Sequence, residues 1–165
     1  MINTSTDEVN LEEVKEYVLK KLEKNHIAVL ASCGSDMRVS ARSMSIVHDG
    51  LTIWFQSDSR YLKAAQIREN PNVAIVIENI QIEGVARNVG HSSLESSRWF
   101  CEEFKRVHPG SYEAYTLTEH EQIYTVEPHL ITLWRYSEGG AYRDFLNLKE
   151  NSVLREPCVV NKITQ

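Results

Sequence analysis

Between residues 11 and 24 the apolar positions fall at Leu11, Val14, Val18 and Leu22, with Glu and Lys filling the gaps. Spacings of three and four residues predict a helix with one buried stripe. Past Asn25 the texture changes. Residues 26–33 (HIAVLASC) form a short apolar run, in part β-branched, that predicts a buried strand. Gly34-Ser35-Asp36 supplies turn chemistry, and residues 37–47 resume as a second strand. Asp49-Gly50 is a two-residue hairpin signal, followed by a third strand at 51–56. Ser57-Asp58-Ser59 offers N-cap side chains for a helix over 61–69, which Asn70-Pro71 ends, because the residue before a proline is pushed out of the helical region.

Strands at 73–77 and 80–88 come next, joined tightly near Glu78-Asn79. The second alternates, with Ile80, Ile82 and Gly84 on one face and Gln81, Glu83 and Val85 on the other. Gly84 inside it signals a bulge, or close approach by another backbone or a flat ligand. Residues 92–107 predict a helix burying Leu94, Trp99, Cys101, Phe104 and Val107, ended by Pro109-Gly110. Two strands, 121–126 and 129–136, are expected around Glu127-Pro128, and Gly139-Gly140 makes a turn. Strands that mostly follow one another through tight turns favour antiparallel pairing over a doubly wound parallel sheet. The expected fold is mainly β with flanking helices: a small barrel of six or seven mostly antiparallel strands. One domain spans 1–165, with a helix within 1–25, the barrel over 26–146 and an irregular tail over 147–165.

Composition narrows the classes. Hydrophobic residues make up 42% and charged residues 25% of 165, ordinary values for a globular chain. The net charge of −5 argues against a protein that works by holding nucleic-acid backbones. No apolar run approaches the roughly 18 residues of a membrane span. The polar, acidic opening MINTSTDEVNLEE is not expected to be a secretory leader. Cys33, Cys101 and Cys158 are odd in number and widely spaced, which predicts reduced thiols in a cytoplasmic protein.

One segment departs from the acidic average. Between residues 38 and 68 stand five bases (Arg38, Arg42, Arg60, Lys63, Arg68) against two acids (Asp49, Asp58), with Ser40, Ser43, Ser45, Ser57 and Ser59 among them. Hydroxyls and cations gathered at a strand end and a helix start suggest an anion site, with Ser59 as N-cap, Lys63 as a point charge and Arg42 as a bidentate fork. A solvated surface with capping serines has the same composition. The six histidines lack HxH or HExxH spacing, so no metal site is expected. Trp134, on the last long strand, is a candidate to stack on a ring and equally a core residue.

Residues 41–88 carry ARSMSIV, the Asp-Gly turn, IWFQSDSRYLKAAQI, ENPNVAIVIE and IQIEGVA. In this order and spacing the segments resemble the pyridoxamine 5′-phosphate oxidase-like FMN-binding split-barrel family, in particular its small bacterial general-stress-protein-like branch. The resemblance implies that Arg42 and Lys63 bind the FMN phosphate. It implies further that Ser43, Met44, Ser45, Ile46 and Val47 line the isoalloxazine ring and that Gln56 and Ser57 flank the ribityl chain. Asn79 or Gln81 would reach the flavin from a neighbouring subunit of a homodimer with FMN in its interface clefts. Two features depart from the true oxidases: Val47 stands where they carry a substrate-contacting lysine, and the tail LREPCVVNKITQ lacks their Arg-x-His. The implied function is therefore an FMN-dependent oxidoreductase taking electrons from a reduced nicotinamide donor to a small molecule other than a B6 vitamer. A non-catalytic flavin or haem carrier or sensor is the alternative.

Overall fold

The computed structural model describes residues 9–158. Helix α1 (Leu11–Lys24) starts at Asn10, whose side chain accepts from the Glu12 and Glu13 amides, and buries Val14, Val18 and Leu22. Strands β1 (Ile27–Cys33), β2 (Val39–Ser45), β3 (Val47–Asp49) and β4 (Thr52–Asp58) follow, then α2 (Leu62–Glu69), β5 (Asn72–Ile77) and β6 (Ile80–His91). A 3-10 turn at Glu95–Ser97 leads into α3 (Arg98–Val107). Beyond it the backbone makes one helical turn at Pro109–Ser111 and a short π-helix at Tyr112–Thr116. Strands β7 (Glu121–Ser137), β8 (Gly140–Asn147) and β9 (Ser152–Pro157) complete the described chain.

All strand pairs are antiparallel, in the order β2-β1-β5-β6-β7-β4-β3, with β8 on the second half of β7 and β9 on β8. The two ends of this path, β2 and β3, are separated in the chain by Ile46 alone. One residue spans only about 7 Å between its neighbours, so the sheet must curl until its edges nearly meet. They do not pair, and the barrel is split there. The expected single strand over 37–47 is divided at Ile46, whose amide bonds to the His26 carbonyl (2.9 Å) while Val47 turns to pair with Trp54. The main core fills the barrel around Leu30, Ile53, Phe55, Ile75, Ile82 and Ile131. A second cluster, Val47, Phe100, Phe104 and Ile123, seats α3.

Several expectations are corrected. The described residues form nine strands rather than six or seven. The two strands expected around Glu127-Pro128 are one, because β7 exchanges partners there: it pairs with β4 as far as Val126 and with β8 from Leu130. A proline without an N–H sits at that exchange, opposite a register shift at Glu83/Gly84. Gly84 answers to a backbone rather than a flat ligand, since an added Cβ would stand 2.5 Å from the Glu127 carbonyl oxygen. Part of the irregular tail is strand β9, held by Arg155, which donates to the fully buried Asp144 carboxylate at 2.6 and 2.9 Å. Residues 159–165 of that tail, and residues 1–8 of the polar opening, lie outside the described residues. In the 92–107 segment the buried apolar side chains are Phe100 and Phe104, with Cys101 and Val107 partly buried against them, while Leu94 and Trp99 are exposed. Pro109-Gly110 interrupts the helical path without ending it.

Candidate functional site

The split in the barrel leaves backbone without a strand neighbour. Strand β3 pairs with β4 only over Thr52–Trp54, whereas β7 pairs with β4 over Ile53–Asp58. The far end of β4 therefore has one edge free, facing the end of β2, and a cleft of about 470 Å³ opens there. Met44 and Ser45 contribute from β2, Gln56, Ser57 and Asp58 from β4, and Tyr61 and Lys63 from the start of α2. The opposite wall is Phe104 from α3 with Ser111, Tyr115 and Thr118 from the helical turns after it. Thr116 ties that wall to the floor, its hydroxyl donating to Gln56 Oε1 at 2.7 Å. Glu121, at the start of β7 and opposite Asp58 in register, closes the base.

The electrostatics of the cleft are uneven. Arg60 is engaged: its guanidinium donates to both Asp58 carboxylate oxygens, at 3.0 and 2.6 Å, and holds that carboxyl down at about 2. Lys63 has no such partner and lies 4.9 Å from the Tyr61 ring centre. Burial first, then the Arg42 charge, pushes its ammonium below the ordinary lysine range. Arg42 donates to Ser32 Oγ at 2.7 Å, to Ser40 Oγ and to the Leu30 carbonyl at 3.3 Å, all neutral acceptors, and burial lowers its pKa too. Both hydroxyls donate in turn to the buried Gln66 of α2, at 2.7 and 2.8 Å. The result is a guanidinium fixed in place by polar neighbours with its charge left uncompensated. Among the described residues no carboxylate forms an ion pair with Arg42 or Lys63. Lys63 on the cleft lining and Arg42, close enough for its charge to act on Lys63, are thus two mutually repelling, partly buried cations without an ion-paired carboxylate.

Ser59 is not the N-cap: that position is Tyr61, and no side chain caps α2. The first N–H groups of the helix, which lack intrahelical acceptors, thus begin at the cleft without a competing cap. Five residues flagged in the sequence, Met44, Ser45, Gln56, Ser57 and Lys63, come together on the lining. Arg42 stands just behind Lys63. Ser43 lies on the outward face of β2, while Ile46 and Val47 have their side chains in the two cores. Asn79, Gln81 and Trp134 are not brought to the cleft of their own chain. Asn79 donates to the Trp134 carbonyl (2.6 Å), Gln81 to Glu83 (2.9 Å), and Trp134 carries Arg143 over its exposed ring. Sequence reasoning missed the wall residues Phe104, Ser111, Tyr115 and Thr118, and also Glu121, since nothing local ties them to β2 or α2.

The family model described as "Pyridoxamine 5′-phosphate oxidase" matches residues 14–135, which include every residue lining the cleft. The chain belongs to this family. General stress protein 26 of Bacillus subtilis (strain 168), a relative, is 27% identical over 100 residues, 55% of this chain and 71% of that protein. The solved structure of a pyridoxamine 5′-phosphate oxidase-related, FMN-binding protein from Nostoc punctiforme has a TM-score of 0.61 at 12% identity, over 93% of this chain and 99% of that one. HutZ, a heme storage protein from Vibrio cholerae, has a TM-score of 0.63 at 12% identity, over 76% and 95% of the respective chains. At such identities these two structures establish a shared fold. Strands β8 and β9, which begin at Gly140, lie beyond the part matched by the pyridoxamine 5′-phosphate oxidase model.

Proposed function

We propose that this member of the family is an FMN-binding flavoprotein that acts as an oxidoreductase between a reduced nicotinamide donor and a small molecule, working as a homodimer. The observation that carries the reading is Lys63 on the lining of a cleft of about 470 Å³, with the Arg42 charge acting on it and neither cation ion-paired among the described residues. That volume lies within the range of small-molecule sites. A phosphomonoester supplies the missing negative charge, and the polar stretch Gln56-Ser57 beside it suits a hydroxylated chain. Met44, Tyr115 and Phe104 give the cleft the apolar and aromatic surface that a fused ring system needs. Flavin, when bound, supplies the hydride chemistry; the protein's part is to bind, orient and exclude water. Arg42 and Lys63 would anchor the phosphate, and the Thr116–Gln56 bond would keep the cleft at a fixed width.

The homodimer is supported by the outward face of the sheet. Ser43, Val29, Val76 and Gln81 stand in one cross-strand row on β2, β1, β5 and β6. Ile27, Val29 and Val76 on this face are exposed. Ser45, two residues on from Ser43, pairs with Ile27 and also lines the cleft, so the apolar face runs up to the cleft's edge. A second copy seated there would place its residues beside the ligand.

The deciding experiment is the absorbance spectrum of freshly purified protein, identification of any released ligand, and anaerobic addition of NADH or NADPH. A flavin spectrum, released FMN and bleaching support the proposal. A Soret band, or a colourless chain that takes up no added FMN, overturns it. Bound flavin inert to both donors removes the oxidoreductase half.

A further inference from the structure

Glu121 lines the cleft but makes none of the contacts proposed for FMN. Its side chain is 7% exposed, lines the base of the cleft and accepts a hydrogen bond from no described residue. A buried carboxylate beside a partly buried lysine is placed to close an ion pair, yet Glu121 and Lys63 form none. The charged and titratable groups around it can be followed element by element. Strand β4 and its turn present Asp58, its register partner, and Arg60, which form an ion pair with each other. Helix α2 presents Lys63, with Arg42 of β2 behind it. The opposite wall presents Tyr115 and the uncharged Ser111 and Thr118. Strand β6 brings His91 opposite Gln122, its ring bonded to Ser93 and the Thr118 carbonyl. Along its own chain stand Glu119, His120 and Tyr124.

Resting on the reading of the cleft as a phosphate site, we propose that Glu121 is a proton-gated contact to the phosphate end of the cofactor. Protonated, its carboxyl donates a hydrogen bond to a phosphate oxygen; ionised, it repels that oxygen and weakens binding. The geometry requires this choice, because a carboxylate is acceptor-only and cannot bond a phosphate dianion, whereas the neutral acid has one O–H to give. Burial, and after it the ionised Asp58, raises the Glu121 carboxyl to about 7, against the pull of Lys63. A bound phosphate adds like charge and raises it further, so the occupied site holds the proton through neutral pH. The proton comes from solvent and returns to it on release; no bond other than O–H is made or broken.

The test is the FMN dissociation constant of wild type and Glu121→Gln, read by quenching of flavin fluorescence at about pH 6 and about pH 8.5. Glutamine is a permanent neutral donor of nearly the same shape. The phosphate's own second ionisation, near pH 6, affects both chains alike and cancels in their ratio. The ratio of wild-type to variant Kd is expected to be near one at the lower pH and about tenfold at the higher, the loss of one charge-assisted hydrogen bond. Riboflavin, which lacks the phosphate, should show no such rise. A ratio that stays flat for FMN, or rises equally for riboflavin, overturns the gate while leaving FMN binding intact. Absence of FMN binding by both chains overturns the gate together with the reading beneath it. An infrared difference spectrum of wild type on adding FMN at about pH 8 serves if the variant does not fold. It must gain a protonated-carboxyl band, and its absence overturns the proposal.

Discussion

Replacing Lys63 by methionine keeps the buried stem and removes the charge, which makes it the cleanest perturbation of the proposed phosphate site. A lysine held to a phosphate oxygen contributes about 1.5–3 kcal/mol as a charge-assisted hydrogen bond. At 1.4 kcal/mol per decade this is roughly a 10- to 150-fold rise in the FMN dissociation constant. The same substitution should act in the opposite direction on the ligand-free chain. Burial and the Arg42 charge depress the Lys63 pKa, so in the folded protein the ammonium is held at a cost that the unfolded chain does not bear. That cost is present throughout the range where the lysine is charged, neutral pH included, and methionine abolishes it. Fluorescence titration with FMN and urea denaturation of the apoprotein measure the two halves separately. Weaker binding with unchanged or greater apoprotein stability is the expected pair. An unchanged Kd would refute the phosphate assignment, and a parallel loss of stability would reduce Lys63 to a packing residue. Arg42 would give a less clear result, because its hydrogen bonds to Ser32 and the Leu30 carbonyl also hold β2 to β1.

Three further outcomes follow from the fold. Glu121→Gln should stabilise the apoprotein at high pH only: the folded carboxyl titrates near 7 against an ordinary value of 4.5. The penalty is therefore absent below the ordinary value, grows between the two and is complete above about 7, reaching up to about 3 kcal/mol. Denaturation curves that coincide near pH 4.5 and separate near pH 8 would show it; a constant gap would refute it. Gly84→Ala should cost about 1–3 kcal/mol of stability, because the added Cβ would press to 2.5 Å on the Glu127 carbonyl and 2.9 Å on Val126; an unchanged melting temperature would contradict that contact. Asp144→Ala leaves Arg135 and Arg155 facing a fully buried vacancy in charge, and calorimetry should report a loss of about 3–5 kcal/mol. A loss below about 1 kcal/mol would mean that the pair is effectively solvated.

Much of the fold was legible because it is written locally. The stripe of α1, the alternation of β6 and the hairpin signalled at Asp49-Gly50, whose turn residues are Gly50 (φ +56°) and Leu51, each depend on residues a few positions apart. The positive segment from Arg38 to Arg68 was likewise visible, and the resemblance to a flavin-binding family singled out Arg42 and Lys63 as the pair now proposed to hold a phosphate. Glu127-Pro128 misled because a proline reads as a strand break wherever it stands, and only tertiary pairing shows a place where its missing N–H is not needed. The tail misled for the opposite reason. SVLREP is too polar to announce a strand, and its order comes from Arg155 reaching a carboxylate eleven residues earlier.

What the sequence by itself determined is the succession of elements and the chemistry each one carries, since helix and strand periodicities and turn residues act over short range. What only the tertiary structure decided is which groups share the cleft. The curling of the sheet at Ile46 frees the edge of β4, brings the helical wall around Tyr115 across from Met44, and sets Glu121 beneath Lys63 with no bond between them. Charge compensation and burial are sums over everything nearby in space. A carboxyl that is ordinary in the chain is buried and raised above the usual carboxylate range only when the fold has chosen its neighbours.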